Sequence, residues 1–532
     1  MKTVKRSLSI ALCLCLAFTL LTGCNGSTQT PATAAGQTTQ ATQTTISTAT
    51  TTSSSGPIIS AKDSFTFSES NPINSLDPTG ANTTLAMYLF GLVFSTLVTQ
   101  PETGVFEGDL AESYNISPDG LTYTFKVRSD ATFHDGTAVT AEDVANSINA
   151  MRENAVVSSR YVNVESVTAT DDLVTIAMLC RDRSILNVLC SAYTLPMAQF
   201  TQLGADGFGT VLNGSGKYRL SSYDNATGNW TVVYNENYYG EVPKIKAINY
   251  RPIADVSTRL IALEKGEIDL CQPGETNFSI VEANPNLAFI LTSNDVNPHV
   301  AFNNAQAPFD SKIFRQAIAY ALDYEALGII RSERGYSYNT QVWSTLYWGN
   351  NIPDLGNAPE YNPEKAKELL TQAGISTPYS LGKLLTMSNF QSLTEQMQAD
   401  LAAVGINCEI ESVDPNTWVQ RYVSGDYTMT FVSQTFSQDK AQCFTSLFGT
   451  DSAGNYTFYS NAEMDSLLDS LKNAATDAEV DAITLEIVQM LNEDVPIVHL
   501  FDQSSFYAFN KNLVVTLDGS GSVDYSNIYW IE

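Results

Sequence analysis

The chain has 532 residues, of which 43% are hydrophobic and 10% are aromatic, so it can bury the cores of two or three domains. Its 28 Lys and Arg residues are outnumbered by 57 Asp and Glu residues, which gives a formal net charge of −29. That charge argues against nucleic-acid binding and against adhesion of the folded body to an anionic membrane, because both depend on basic residues.

The first 24 residues are predicted to be a secretory signal. Three basic residues among the first six precede an almost unbroken apolar run over residues 8–21, which is too short for a membrane span. Residues 21–24 read Leu-Thr-Gly-Cys, which resembles a bacterial lipobox, where the cysteine is lipidated and becomes the new amino terminus. We therefore expect a lipoprotein signal over 1–24 with the lipid on Cys24; the alternative is an ordinary signal peptide that happens to contain a cysteine.

Residues 25–56 are rich in Thr, Ser, Gln and Ala and contain a single Pro. Such a segment buries too little apolar surface to offset the entropy of its chain. We expect a disordered linker between the lipid anchor and a globular body.

Strands and helices are both predicted in the body. Apolar residues at every second position predict half-buried strands. The runs with this pattern are 121–127, 229–234, 245–250, 406–410 and 428–432. Their irregular alternation with helices favours α/β domains over a sandwich or a bundle.

Capping signals mark several helices. Thr140, followed by Asp143 three residues later, is typical of a capping box. Asn362 and Pro363 begin another helix that Gly374 ends. Two amphipathic helices are predicted further on, at 461–475 and 477–493.

Five cysteines remain after the signal, so at least one is unpaired. They are Cys180, Cys190, Cys271, Cys408 and Cys443. Since no two of them form a C-x-x-C motif, zinc binding and thioredoxin-like chemistry are disfavoured. Cys180 and Cys190 flank a predicted turn, and whether they pair is left open.

No catalytic or metal-binding constellation is evident. The three histidines, His134, His299 and His499, are isolated in the sequence, and the common protease, hydrolase and P-loop motifs do not occur. Residues 214–217 superficially resemble a phosphate loop, but Tyr218 follows where Ser or Thr must hold magnesium. We expect no enzymatic activity, no metal and no cofactor.

A set of motifs resembles solute-binding family 5, the peptide- and nickel-type substrate-binding proteins of ABC importers. The most specific are Asn74–Pro78, Leu110–Tyr114, Ser117–Phe125, Phe133–Thr137 and Thr140–Val144. Weaker matches follow at 214–218, 257–259, 266–269, 309–310, 315–317, 361–366, 405–406 and 425–427. One departure is Lys217, which stands where that family usually has Pro.

The resemblance implies an α/β clamshell, the two-lobed fold of periplasmic binding proteins, with an extra subdomain in the first lobe. The implied parts are lobe I at 57–104, 206–296 and 496–532, the extra subdomain at 105–205, and lobe II at 297–495. Hinges between the lobes are expected near 297–302 and 495–500.

It also implies a function without chemistry. The protein would be a monomer outside the cytoplasm, attached to the cell membrane only through its lipid. It would capture a small ligand, with a short peptide as the first choice, and deliver it to a permease driven by an ATPase. An oligosaccharide, a metal chelate, or a signalling role without transport are the alternatives.

Two stretches supply candidate ligand-binding residues. The first is an aromatic cluster, for which ordinary packing is the alternative: Tyr336, Tyr338, Trp343, Tyr347 and Trp348. The second is a loop that the resemblance places in the cleft: Phe436, Ser437, Gln438 and Asp439.

The loop departs from the peptide-binding pattern of the family. Gln434 stands where that pattern has Trp, and Ser437 stands where it has an Asp that pairs with the ligand's α-ammonium group. A neutral Ser provides no charge-assisted pairing, so Asp439 is the replacement if the loop is shifted. A misalignment by one or two residues is the alternative.

The lipobox resemblance gives the first prediction. Cys24→Ala should release the protein from the membrane or leave it unprocessed, because each buried CH₂ of the lipid contributes about 0.8 kcal/mol to anchoring. Membrane fractionation and intact-mass measurement test this. If mass and fractionation match the wild type, Cys24 is not lipidated.

Overall fold

The computed structural model describes residues 59–532 apart from 74, 81–82, 103, 183, 275–276, 294–295, 332–335, 339–357, 436–439 and 475. The predicted signal, Cys24 and the linker lie outside the described residues. Within the described part, no helix has the length and apolar character that crossing a membrane requires.

Strands occur along the whole described chain. In chain order they are β1 (Ser64–Ser68), β2 (Val98–Glu102), β3 (Val105–Gly108), β4 (Ala111–Ile116), β5 (Thr122–Val127), β6 (Val164–Thr170), β7 (Leu173–Met178), β8 (Tyr218–Tyr223), β9 (Trp230–Tyr234), β10 (Ala247–Tyr250), β11 (Leu270–Cys271), β12 (Leu287–Ser293), β13 (Val296–Phe302), β14 (Tyr336–Tyr338), β15 (Tyr379–Met387), β16 (Ile406–Val413), β17 (Met429–Thr435), β18 (Ile497–His499), β19 (Phe501–Asn510), β20 (Leu513–Val514) and β21 (Tyr529–Trp530).

Helices lie between them. In chain order they are α1 (Thr84–Val93), α2 (Ala141–Glu153), α3 (Ile185–Leu189), α4 (Met197–Gly209), α5 (Val256–Glu264), α6 (Phe278–Ala283), α7 (Lys312–Ala321), α8 (Tyr324–Arg331), α9 (Pro363–Gln372), α10 (Gln391–Ala403), α11 (Pro415–Ser424), α12 (Lys440–Phe448), α13 (Ala462–Asn473) and α14 (Asp477–Asp494).

The first large sheet, here called the lobe I sheet, has the order β12-β19-β11-β1-β10-β9-β8, with β14 also paired to β19. Its central strand β1 is parallel to both β10 and β11. β19 is antiparallel to β11 and β12, so β1, β10, β11 and β12 all point the same way.

The second large sheet, the lobe II sheet, has the order β16-β15-β17-β13-β18. β15 is parallel to both β16 and β17. β13 runs antiparallel to β17 and β18. The amino end of β13 therefore lies at the same edge of the sheet as the carboxyl ends of the other four strands.

A separate four-stranded antiparallel sheet, β4-β5-β7-β6, packs with α2. Phe125 of β5 and Val144 of α2 are buried in the same hydrophobic cluster as Phe67 and Phe90 of lobe I. The extra subdomain therefore shares its core with lobe I. The residue boundaries expected from the family resemblance stay predictions.

The local sequence signals explain these elements. Thr140 and Asp143 cap α2 reciprocally: Asp143 N–H donates to Thr140 Oγ1 at 3.1 Å and Thr140 N–H donates to Asp143 Oδ2 at 3.2 Å. α9 begins after Asn362, whose side chain accepts from Lys365 N–H. The strands and helices predicted from periodicity and capping are confirmed, with ends shifted by a few residues.

The five described cysteines are all thiols, including Cys180 and Cys190, whose pairing the sequence left open. Cys271 and Cys443 are buried and the other three are partly buried.

The turn over residues 214–216 is hydrogen-bonded both to the extra subdomain and to the end of α1. Gly216 N–H donates to Val93 O at 2.8 Å, and Gly214 N–H donates to His134 Nδ1 at 3.2 Å. A Cβ on Gly214 would lie 2.0 Å from the backbone oxygen of Val93. Glycine is therefore required here by the close approach of two backbones, and the resemblance to a phosphate loop has no functional meaning.

This close approach gives the second prediction. Gly214→Ala should lower the free energy of unfolding by about 3 kcal/mol, because the backbone around Val93 must move to admit the methyl group. Gly91→Ala is the control: Gly91 is exposed in α1 with open space around its Cα, so alanine should raise stability by about 0.5–1 kcal/mol. Urea denaturation measures both, and effects of equal sign would contradict the packing argument.

Candidate functional site

The two large sheets are joined at one edge by two short connections. β12 of the lobe I sheet leads to β13 of the lobe II sheet across two residues, and β18 leads back to β19 across Leu500. The carboxyl ends of β1, β10, β11 and β12 face this edge from lobe I, and those of β15, β16, β17 and β18 face it from lobe II. Ligands of open α/β sheets bind outside the carboxyl ends of strands, so this edge is the candidate site.

The lobe II side of the edge is formed around Asn297. Gln434, near the end of β17, is the register partner of Asn297 on β13. His499 Nδ1–H donates to Asn297 Oδ1 at 3.0 Å, and His299 Nδ1–H donates to the Asn297 carbonyl oxygen at 3.1 Å. All three polar side chains of this hydrogen-bonded group are 1% exposed, so the crossing strands are tied together beneath the site.

Burial lowers the pKa of two of the three histidines. Burial, with a smaller contribution from neighbouring His499, lowers the pKa of His299 to about 3, so this ring is neutral at physiological pH. His134 lies at the turn of the extra subdomain, and burial lowers its pKa to about 4. Among the residues that the structure describes, no three His, Cys, Asp or Glu side chains are grouped to hold a metal ion.

The lobe I side of the edge holds Glu69, directly after the last residue of β1. The strand alternates, so Phe65, Phe67 and Glu69 share one face, and the two phenylalanines are buried in the lobe I core. The Oε1 atom of Glu69 is buried and has no hydrogen-bond partner. Such an oxygen at the ligand-facing edge is a free acceptor.

Tyrosine side chains from distant segments surround Glu69. Tyr88 of α1 and Tyr507 of β19 form a hydrogen bond between their hydroxyl oxygens at 3.1 Å. The ring of Tyr525 lies 4.7 Å from that of Tyr88 and 4.4 Å from that of Phe67. The Tyr525 hydroxyl is also buried without a hydrogen-bond partner. We call Glu69, Tyr88, Tyr507 and Tyr525 the Glu69 cluster.

Glu69 titrates near neutral pH. Burial raises its pKa to about 7, against the lowering effect of the Arg259 charge and of a hydrogen bond from Tyr507. Burial also raises the pKa of Tyr88, Tyr507 and Tyr525 above 10.0, so these phenols stay neutral. Within the cluster, Glu69 alone changes charge at physiological pH.

Arg259 supplies the fixed positive charge near Glu69. It lies on α5 and is 2% exposed. Its guanidinium donates to Gln272 O at 2.7 Å, to Ile253 O at 2.7 Å and to Ser70 Oγ at 2.9 Å. It therefore organises the loops that follow β1, β10 and β11 at the candidate site.

A shallow groove of about 380 Å³ lies elsewhere, lined by residues that include Leu370, Thr377 and Gly405. Gly405 directly precedes β16 and Thr377 lies two residues before β15, so the groove lies at the amino ends of these strands. Because this is the edge opposite the candidate site, we do not assign the groove to ligand binding.

The sequence-predicted candidates fall in two groups. Tyr336 and Tyr338 lie on β14, which pairs with the first residues of β19, where the chain enters lobe I. Their backbone is therefore at the candidate edge. The other candidates lie outside the described residues: Trp343, Tyr347, Trp348, Phe436, Ser437, Gln438 and Asp439. All nine stay predictions.

The Glu69 cluster was missed by the sequence analysis. The available signal was an acidic residue directly after the alternating run 64–68. That run was not predicted as a strand, and its tyrosine neighbours come from α1 and from the last 30 residues. Nothing in the local sequence indicates that they meet.

Known proteins with similar sequences and structures identify the family to which this architecture belongs. The family model "Bacterial extracellular solute-binding proteins, family 5 Middle" matches residues 105–456. The glutathione-binding protein GsiB of Pectobacterium atrosepticum is 27% identical over 492 residues, covering 86% of this chain and 92% of GsiB.

Solved structures share the fold. The ABC transporter substrate-binding protein CtaP of Listeria monocytogenes is 22% identical with a TM-score of 0.77, covering 88% of this chain and 100% of CtaP. The periplasmic binding protein DppA of Helicobacter pylori, in complex with the peptide STSA, is 23% identical with a TM-score of 0.69, covering 88% of this chain and 98% of DppA. The predicted two-lobed fold is confirmed.

The raised pKa of Glu69 gives the third prediction. The folded protein binds the Glu69 proton more tightly than the unfolded chain, so this residue lowers stability as pH rises from about 4.5 to about 7, by about 3 kcal/mol in total. Glu69→Gln removes that loss, so the variant should gain stability relative to the wild type between pH 4.5 and pH 8.

Urea denaturation of the wild type and of Glu69→Gln at pH 4.5 and pH 8 measures the difference in their free energies of unfolding. The contributions of all other titrating groups cancel in this difference. Glu267→Gln is the matched control, because the Glu267 side chain is 49% exposed in an ion pair with Arg251 and should change stability little. A Glu69→Gln difference that is the same at both pH values would show that the carboxyl is not perturbed.

Proposed function

The chain belongs to the bacterial extracellular solute-binding proteins of family 5, and we propose that its ligand is a short peptide bound between the two lobes. Proteins of this family are the solute-binding components of ABC importers, working with a membrane permease and an ATPase. The protein is therefore a carrier of solute and not an enzyme.

The observation that carries the cleft assignment is the meeting of carboxyl strand ends at two short crossings. A connection of one or two residues keeps the facing edges together while allowing rotation of one lobe against the other. Ligand that contacts both edges favours the closed arrangement by its differential affinity for the two states. Delivery then follows from a permease that favours the open arrangement.

Two relatives support the choice of a peptide. GsiB is named for glutathione, which is a tripeptide, and DppA was solved with the peptide STSA. The candidate edge also presents an acid, Glu69, whose buried Oε1 atom has no hydrogen-bond partner. The ammonium group of a peptide would supply the missing donor.

The remaining parts of the proposal come from the sequence. Cys24 carries the lipid that holds a monomeric body outside the cytoplasm. The aromatic cluster and the loop line the cleft together with Gln434 of β17; their residues are Tyr336, Tyr338, Trp343, Tyr347, Trp348, Phe436, Ser437, Gln438 and Asp439.

Calorimetry of the soluble body gives the fourth prediction. A tripeptide library should contain binders, and a panel of oligosaccharides should not. Peptide at about 100 times its Kd should add about 2.7 kcal/mol to the free energy of unfolding and raise Tm. Small-angle scattering should show a smaller radius of gyration in the saturated protein.

Three outcomes would contradict this function. Binding of sugars without any peptide would exclude the peptide ligand. Scattering profiles that are identical with and without a bound peptide would exclude closure. Covalent turnover of a bound peptide in proportion to protein concentration would exclude a pure carrier.

A further inference from the structure

A peptide entering the cleft brings an ammonium group that needs a partner. A charge taken from water into a closed site is unfavourable unless an opposite charge or several hydrogen-bond acceptors compensate it. In this chain Ser437 stands where the family pattern has the pairing Asp, and a hydroxyl carries no charge. The compensating carboxylate is then either Asp439 of a shifted loop or an acid from another part of the site.

We infer that the Glu69 cluster is the subsite that binds the ligand's ammonium group. Glu69 follows β1 at the carboxyl edge of the lobe I sheet, and its Oε1 is a buried acceptor without a hydrogen-bond partner. The Tyr525 hydroxyl is a second buried atom without one. This inference rests on the proposed function, because it assumes a ligand with a free amino group.

The chemistry of the cluster fits an ammonium ion. Its three N–H donors match the carboxylate oxygen of Glu69 and the hydroxyl oxygens of Tyr507 and Tyr525. The faces of the tyrosine rings also attract cations. A carboxylate ligand is disfavoured, because it would be repelled by ionised Glu69.

The neighbouring phenol and thiol groups keep one protonation state near neutral pH, whereas Glu69 changes its charge there. Tyr88, Tyr507, Tyr525 and Tyr250 are neutral phenols, and burial raises the pKa of the Cys271 thiol to about 12. Arg259 is the nearby cation and favours the ionised form of Glu69. Asp518, from the carboxyl-terminal segment, acts on Tyr88 and adds to the negative potential.

Binding of an ammonium group is therefore coupled to loss of the Glu69 proton. Because burial raises the Glu69 pKa to about 7, most of the carboxyl groups are protonated below this pH, and the ligand must displace the proton. Affinity for a free-amine peptide should fall about tenfold for each pH unit below 7. The α-amino group of the peptide stays charged over this range.

The test uses the tightest-binding tripeptide of the library and its N-acetyl counterpart, at pH 5, 6, 7 and 7.5. Calorimetry should show the tenfold slope for the free peptide and none for the acetylated one. Glu69→Gln should weaken free-peptide binding about 10- to 100-fold at pH 7.5 and abolish the slope, without affecting the acetylated peptide. Glu267→Gln should behave as the wild type.

A second variant protects the test against misfolding. Tyr525→Phe keeps the ring and removes one acceptor, so free-peptide binding should weaken about three- to tenfold while acetylated-peptide binding is unchanged. Thermal unfolding of each variant confirms that it is folded.

Two kinds of failure can be told apart. If the wild type binds no peptide, the proposed function fails and the subsite fails with it. If peptides bind with the affinity and pH slope of the wild type in both Glu69→Gln and Tyr525→Phe, only the subsite is wrong. Loss of free-peptide binding in Asp439→Asn alone would likewise overturn it, by placing the ammonium partner in the loop.

Discussion

The lobe I and lobe II sheets meet at one edge, where two residues separate β12 from β13 and Leu500 separates β18 from β19. Such short connections keep the facing edges of the two sheets close together. The crossing strands are also hydrogen-bonded to each other, and Leu500 N–H donates to Pro298 O at 3.0 Å. The position of the candidate site and the direction of the strands that face it both depend on this junction.

Buried polar groups hold the junction together. Asn297 accepts from both His299 and His499, and the buried His299 ring stays uncharged because its surroundings disfavour the imidazolium ion. In each lobe a buried arginine binds backbone carbonyl groups of connecting loops. Arg315 donates to the carbonyl oxygens of Asp494, Val495 and Phe309, as Arg259 does to those of its own loops. Peptide groups left unpaired where strands and helices end are thereby satisfied.

Sequence reasoning reached the architecture because local and motif signals agree with it. The caps at Thr140 and Asn362 depend on side chains within three residues, and such short-range chemistry is visible in a sequence. Arg259 and Arg315 both lie in segments that match family 5 motifs, at 257–259 and 315–317. Those motifs do not indicate which carbonyl groups the two arginines bind. The Glu69 cluster could not be predicted, because Glu69 follows β1 whereas Tyr525 lies in the carboxyl-terminal segment, far away in the sequence. Contacts of that sequence separation carry no local pattern.

The Glu69 cluster has a consequence for the order in which the proposed site is completed during export. A chain that crosses a membrane amino end first delivers β1 and Glu69 early, then β10 and β11, and β19 with Tyr507 only near the end of the passage. Tyr525 follows later still. Until these segments arrive, the lobe I sheet lacks β19, the strand that returns from lobe II, and Glu69 has only part of its surroundings. In the proposed site, the wall that contains Glu69 is complete only after the carboxyl-terminal segment has crossed, so we expect ligand capture to begin with the fully exported chain.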